Sequence, residues 1–419
     1  MKTSITLLVI LLLHPISAQI TGFAEHWLAN PAGTGSEFQE RRDRLRMDAE
    51  FALPGFTIRT GGELTQDTFS RPALYWRLRN AYIEWQGQNI GLRAGVQQVI
   101  WGRTQYTFLL DHINPRDWRY FYTWSQADIR QGLPLIRARA SLGENDLEII
   151  WIPHYVEDPV VTWGPWSTPT AEVRFIDSYT VLWEKGKNPD PSNHELGLRW
   201  AGRLAGTDYR LMWFSGFQDE PVAVYTGTVW QGEPGNSNSD VTVSYYEDHP
   251  RQDMLGLDLE RVWGPFSITG EFGRQFAYYI NSSPAFDSTY HFNTTRLRRE
   301  RWLGMLGLEI RMPGQMKVAG QLIYRRIGEG GLTAAAGQTD REATVSFRAP
   351  LPALSLVCEI WQLMDLTDNS RFTQGSFTWQ YSSQIQIQAG LTLLSGRTGT
   401  PFGRFANNDH YFLAARFVF

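Results

Sequence analysis

A single cysteine, Cys358, stands in 419 residues, so the chain can form no internal disulfide, and no cytosolic redox motif is present. Long apolar runs are also scarce. After Ile5–Leu13, no stretch approaches the ~18 apolar residues that a transmembrane helix requires. Lysine is almost missing: Lys2, Lys185, Lys187 and Lys317 are all there is, which leaves arginine as 35 of the 39 basic residues. The net charge of −4 is small for this length and gives no footprint for nucleic acid. Catalytic and metal signatures are absent too. Eight histidines lie scattered, with no His-Glu-x-x-His, no Gly-x-Ser-x-Gly and no phosphate-binding glycine loop. The acidic stretches Glu184–Asp190 and Asp365–Asp368 lack a calcium-ligand spacing. The expectation is a non-enzyme with no cofactor and no metal, although side chains that converge only in space leave no spacing to read.

Aromatic residues, by contrast, are abundant. They make up 14% of the chain and include 17 tryptophans, yet the mean hydropathy is −0.33. Strands that alternate lipid-facing and water-facing residues average out as polar in this way, and tryptophan and tyrosine favour a membrane interface.

The N-terminus begins with a short basic start at Lys2. The apolar run, Pro15 and the small residues Ser17-Ala18 follow. This order reads as a secretory signal peptide over residues 1–18, cleaved before Gln19 and excluded from the fold. The residue after the cut is not cysteine, which argues against a lipid anchor.

From Gln19 onward the chain runs as strand-like segments of about ten residues with period-two alternation. Leu45, Met47, Ala49 and Phe51 share one face, while Arg44, Arg46, Asp48 and Glu50 share the other. Leu306, Leu308 and Ile310 likewise oppose Gly307, Glu309 and Arg311. Eight tight turns, at 53–56, 87–89, 143–146, 205–207, 263–265, 312–315, 349–352 and 382–384, alternate with nine long connections. The long ones are 31–41, 65–74, 102–132, 156–191, 219–250, 281–299, 328–339, 365–371 and 397–409. This pattern predicts an all-β fold: one transmembrane antiparallel up-and-down barrel of eighteen strands, with short periplasmic turns and long extracellular loops. Weak alternation at 75–87 and 145–155 leaves a range of sixteen to twenty. The last strand carries Tyr411, Leu413, Phe417 and the terminal Phe419 on one face and Arg416 on the other. It is similar to the barrel-closing C-terminal strand of Gram-negative outer-membrane barrels, and it implies an outer-membrane location and recognition by the barrel-assembly machinery.

If the apolar faces meet lipid and lipopolysaccharide, the opposite faces line the lumen. The pore-lining expectation covers Arg44, Arg46, Asp48, Glu50, Arg59, Glu63, Arg137, Arg139, Arg199, Asp258, Glu260, Glu309, Arg311, Arg348 and Arg416. Such charges need water or partners, since an unpaired buried charge costs several kcal/mol. Two readings follow: Arg–carboxylate ladders that stiffen the wall, or a guanidinium ring that favours anionic solutes. On the second, replacing Arg137 and Arg139 with glutamate shifts selectivity toward cations.

The sharpest local feature runs from Arg93 to Arg119. A strand is expected to end at Trp101-Gly102, and the following loop carries Arg103, Asp111, Asn114, Arg116 and Asp117. The loop either folds into the pore as a constriction or stays outside, held by its own Asp–Arg pairs. Gly95, Gln97 or Gln98, Ile100, Trp101 and Gly102, followed by Asp111, Asn114, Pro115 and Asp117, resemble a pattern in porin-like outer-membrane proteins related to the alginate-export barrels. That resemblance implies an eighteen-stranded barrel with an arginine-containing lumen and transfers no substrate. The expected function is passive diffusion of small hydrophilic, in one reading anionic, solutes. A barrel enzyme and a plugged barrel that binds another protein are the other two classes.

Overall fold

A ribbon that is greasy on one side and charged on the other has two unlike solvents to satisfy, and it also has edges to pair. Closing into a barrel meets both demands at once. The computed structural model describes all residues except 1–16, 34–37, 69–72, 121–125, 159–163, 168–178, 185–192, 233–239, 282–284, 287–291, 294–295 and 329–338. The expected signal peptide lies outside the described residues up to position 16, and Ser17-Ala18 begin the first strand.

Eighteen strands form one closed antiparallel sheet in chain order. They are β1 (Ser17–Pro31), β2 (Glu40–Leu53), β3 (Phe56–Asp67), β4 (Leu74–Gln86), β5 (Ile90–Gln97) and β6 (Leu133–Leu142). Next come β7 (Asn145–Ile152), β8 (Glu195–Leu204), β9 (Thr207–Phe217), β10 (Arg251–Trp263), β11 (Phe266–Asn281) and β12 (Arg296–Met312). The wall ends with β13 (Met316–Ile327), β14 (Thr339–Leu351), β15 (Leu356–Asp365), β16 (Arg371–Gln380), β17 (Ile385–Ser395) and β18 (His410–Val418). β18 returns to β1 from Phe23↔Val418 to Pro31↔His410. Gly22 and Phe419 exchange both main-chain hydrogen bonds at 2.9 and 3.1 Å, which seals the seam. Among the described residues, the connection after β9 carries its own hairpin, Val222–Gln231 with Asp240–Asp248, with Tyr179–Glu184 parallel to it, and the connection after β11 carries a two-residue pair, Ala285-Phe286 with Phe292-Asn293.

The outward faces are the apolar ones. Leu45, Met47, Leu255, Leu259, Leu306, Leu308, Leu391, Leu393, Tyr411, Leu413, Phe417 and Phe419 are all exposed on the barrel exterior. The short and long connections fall where the turn residues place them, with two differences. The turn expected at 349–352 sits at Pro352–Ser355, because Pro350 is carried within the strand opposite Val357, close to where the ladder ends. The strand expected to reach Trp101-Gly102 stops at Gln97, since the chain turns inward there.

Candidate functional site

The inward turn builds a dry core inside the barrel. Leu133 and Leu135 of β6, Ile150 and Ile152 of β7, Met212 and Phe214 of β9, and Met254 of β10 point inward and are buried. With Leu303, Met305 and Ile323 they pack against Val99, Trp101, Leu109, Leu110 and Ile113 of the connection between β5 and β6. This corrects the expectation that inner faces hold only charged and small residues: a segment folded into the lumen needs an apolar seat. The seat is cut to shape. A Cβ on Gly273 would lie 2.6 Å from Cδ2 of Leu110, and one on Gly256 would lie 3.4 Å from its Cδ1. The sequence carried a signal for it, because Ile149-Ile-Trp-Ile152 and Leu211-Met-Trp-Phe214 are apolar on both faces. Ile149 is 41% exposed outside, whereas Ile150 is 0% exposed inside.

Polar anchors then hold the inserted segment. Asn114 ties its two legs, accepting from the Val99 amide and donating to the Gln131 carbonyl, both at 2.7 Å. Asp111 accepts from Arg130 Nε at 2.6 Å. Asp117 accepts from Arg119 and from Arg77 of β4. On the far wall, Arg103 reaches Asp258 at 2.8 Å and also Glu260, and its amide donates to Glu271. The Gln105 amide donates to Gln321 at 2.8 Å. β4 and the β10–β13 wall lie far apart around the ring, so the segment crosses the lumen.

The wall charges are largely paired. Arg44 faces Glu25 at 2.6 Å, Glu63 at 3.7 Å and Asp128 at 3.6 Å. Arg46 pairs with Asp48 and Arg59 with Glu50, at 2.9 and 2.6 Å. Arg77 binds Glu63 at 2.8 Å. Arg137, Arg139 and Arg199 converge on Glu148, which also accepts from Trp101 Nε1 at 3.1 Å. Arg103 and Arg210 share Asp258, Glu309 takes Arg311 and Lys317, and Arg416 binds Glu25. Arg348 is exposed near the short-turn end, opposite Lys317 and Glu359. Sequence reading missed Glu25, Arg77, Asp128 and Glu148. Asp128 sits on the short helix Gln126–Ile129 of the inserted segment. Burial opposes its ionisation, but Arg44, Arg79 and Arg46 hold its carboxyl below the usual range.

Cavities remain beside the segment. One of about 820 Å³ lies between it and the wall of β1, β2 and β15–β18, lined by Arg42, Arg44, Arg130 and Arg416 against Glu25, Asp128 and Glu359. A second, of about 370 Å³, lies toward the long connections, with Arg116, Arg301 and Arg325 facing Glu220, Asp340, Glu342 and Asp365. Between the connections, Arg116 binds Asp219 at 3.1 Å and its amide donates to Asp158 at 2.7 Å. Burial pushes the Asp158 carboxyl up to about 7; Arg116 works against this and Asp219 adds to it. A second apolar cluster joins Trp27, Phe38, Trp166, Phe372, Phe402, Phe405 and Phe412 across the β16–β18 side.

No family model and no curated protein matches this sequence. Solved structures do match the fold. OccK2 (OpdF) of Pseudomonas aeruginosa, in complex with glucuronate, is 11% identical with a TM-score of 0.51, over 96% of this chain and 97% of that one. The chain has the fold of the outer-membrane porins. OmpF of Salmonella typhi, in complex with daunomycin, is 10% identical over 96% of this chain and 97% of its own, with a TM-score of 0.44. A mutant Rh. blastica porin is 11% identical over 96% and 100%, with a TM-score of 0.41. The likeness to OccK2 speaks to the fold alone.

Proposed function

We propose that this porin-fold chain is an outer-membrane channel through which small hydrophilic solutes diffuse passively, with the segment between β5 and β6 as its constriction. The single observation that carries this is the cavity of about 820 Å³ left open between the inserted segment and the wall. Its polar, ion-paired lining offers a solute hydrogen bonds in exchange for lost water. Residues 1–18 would act as the export signal, the C-terminal strand as the mark read by the assembly machinery, and lipopolysaccharide as the neighbour of the apolar belt. No reaction is assigned to the chain.

Charge selectivity follows from the lining. Four arginines face three carboxylates in the larger cavity, and Arg44 and Arg416 already share Glu25. The guanidiniums therefore act first as wall ties, and the net preference for anions is weak. The dry core around Leu110 favours a second reading, a plugged barrel that serves as a scaffold. Planar-bilayer recording separates them: a channel gives ohmic single-channel steps and a reversal potential slightly on the anion side, whereas a silent but inserted, heat-modifiable barrel supports the plug.

A further inference from the structure

The cavities of about 820 and 370 Å³ share one border. Thr107, Phe108 and Trp118, all on the inserted segment, line both. The rings of Phe108 and Trp118 meet edge to face with centroids 5.7 Å apart. A guanidinium stands over Phe108 from each cavity, Arg116 at 4.6 Å and Arg130 at 5.0 Å. Neither ring hangs loose. Arg325 of the wall donates to Thr107 Oγ1 at 3.1 Å. Trp118 donates from Nε1 to Asp158 at 3.1 Å, on the carboxylate whose other oxygen takes the Arg116 amide.

We propose that Phe108 and Trp118 form the aperture between the two chambers and set the size limit for solutes, with Asp158 as the residue that positions Trp118. This rests on the channel reading above. A pair of apolar ring edges is where a hydrated solute has to shed water, and it is the point of highest resistance in a wetted passage. The flanking guanidiniums stack on Phe108 and keep their donors at either entrance, ready to replace the water lost between them. Side-chain bulk at 108 and 118, rather than charge, then decides what passes.

The test is single-channel conductance of the full-length protein in a planar bilayer, together with the largest ethylene-glycol oligomer that still enters and lowers it. Phe108→Ala and Trp118→Ala are each expected to raise conductance about twofold and to admit larger oligomers. Trp118→Phe keeps most of the bulk but loses the Nε1 donor to Asp158, so it is expected to shift the limit as Asp158→Ala does and by less than Trp118→Ala. Asp158→Ala releases the indole and moves the limit toward that of Trp118→Ala, while Asp158→Asn, which keeps one acceptor oxygen for the two donors, restores it in part. Should Trp118→Ala fail to insert, Phe108→Ala decides alone. Alanine variants that insert with the conductance and oligomer limit of the wild type overturn the aperture. A silent wild type instead overturns the channel reading, so the two failures are distinguishable.

Discussion

Arg416, on the last strand, donates from Nε at 2.8 Å to the carboxylate of Glu25 on the first. The other oxygen of Glu25 takes Arg44 of β2, also at 2.8 Å. One buried carboxylate thus joins three adjacent strands at the seam where the barrel closes. Two guanidiniums and one carboxylate leave a cationic surplus that Glu63 and Asp128 offset from the other side of Arg44.

Removing that carboxylate leaves Arg44 buried without its shortest ion pair, beside Glu63 and Asp128. Glu25→Ala is expected to lower the stability of the closed barrel by about 3 kcal/mol, the low end for a broken buried pair because those contacts persist. Urea unfolding in detergent micelles, followed by tryptophan fluorescence, measures it. A midpoint equal to the wild type would remove Glu25 from the seam.

Glu148 is a second hub, and its partners are not equivalent. Glu148→Ala strands Arg137 and the Trp101 indole in a dry environment, for a loss of about 4 kcal/mol. Arg139, with a side chain 54% exposed, returns to water, so Arg139→Ala should change stability by well under 1 kcal/mol. The same unfolding experiment compares the two.

Gly273 sets how closely the inserted segment approaches the wall. A valine there meets Leu110 and Leu303 and should lift the segment, at about 1–3 kcal/mol of local overpacking. Protease added to proteoliposomes is expected to cut between 98 and 132 faster in Gly273→Val than in wild type. Equal rates would mean that Leu110 does not hold the segment down.

Asp158 makes the docking pH-dependent. Its carboxyl is pushed up to about 7 when docked and returns to an ordinary 3.8 when the contact opens. Between these values the docked form keeps a proton that the open form releases. The contact is therefore strongest below about pH 4, weakens as pH rises, and levels off above about 7. Hydrogen exchange of the Arg116 amide, corrected for its intrinsic pH dependence, should show less protection at pH 8 than at pH 5. Asp158→Asn should flatten that difference.

Selectivity should respond to residues on the larger cavity. Glu359→Gln raises the cationic excess there from one charge to two, and the reversal potential should move toward anions. Arg137 and Arg139 cluster around Glu148 and do not line that cavity, so glutamate at those two positions should move the potential less. The opposite ranking would place the narrow point on the β6–β7 wall.

Much of the architecture was legible because barrel strands repeat a simple rule. Residues such as Leu306 and Glu309 alternate between hydrocarbon and lumen, and turn residues such as Pro54-Gly55 punctuate them, so strand number and connection order follow from local pattern. Where alternation weakened, around Ile149–Ile152, the weakness was itself a signal that the inner face is buried as well as the outer face apolar. The strand end at Gln97 was misplaced because Val99 and Trp101 continue an apolar rhythm while facing the interior of the segment.

The amino-acid order alone determined that this chain is a closed, membrane-type β-barrel, since period-two patterning and turn chemistry are local properties of consecutive residues. Tertiary structure alone decided that the β5–β6 connection lies inside, that Glu25 and Glu148 bind arginines from several strands, and that Phe108 and Trp118 line both cavities. Those relations join residues far apart in sequence, such as Arg103 with Asp258 or Trp101 with Glu148, and no spacing along the chain encodes a distance across a lumen.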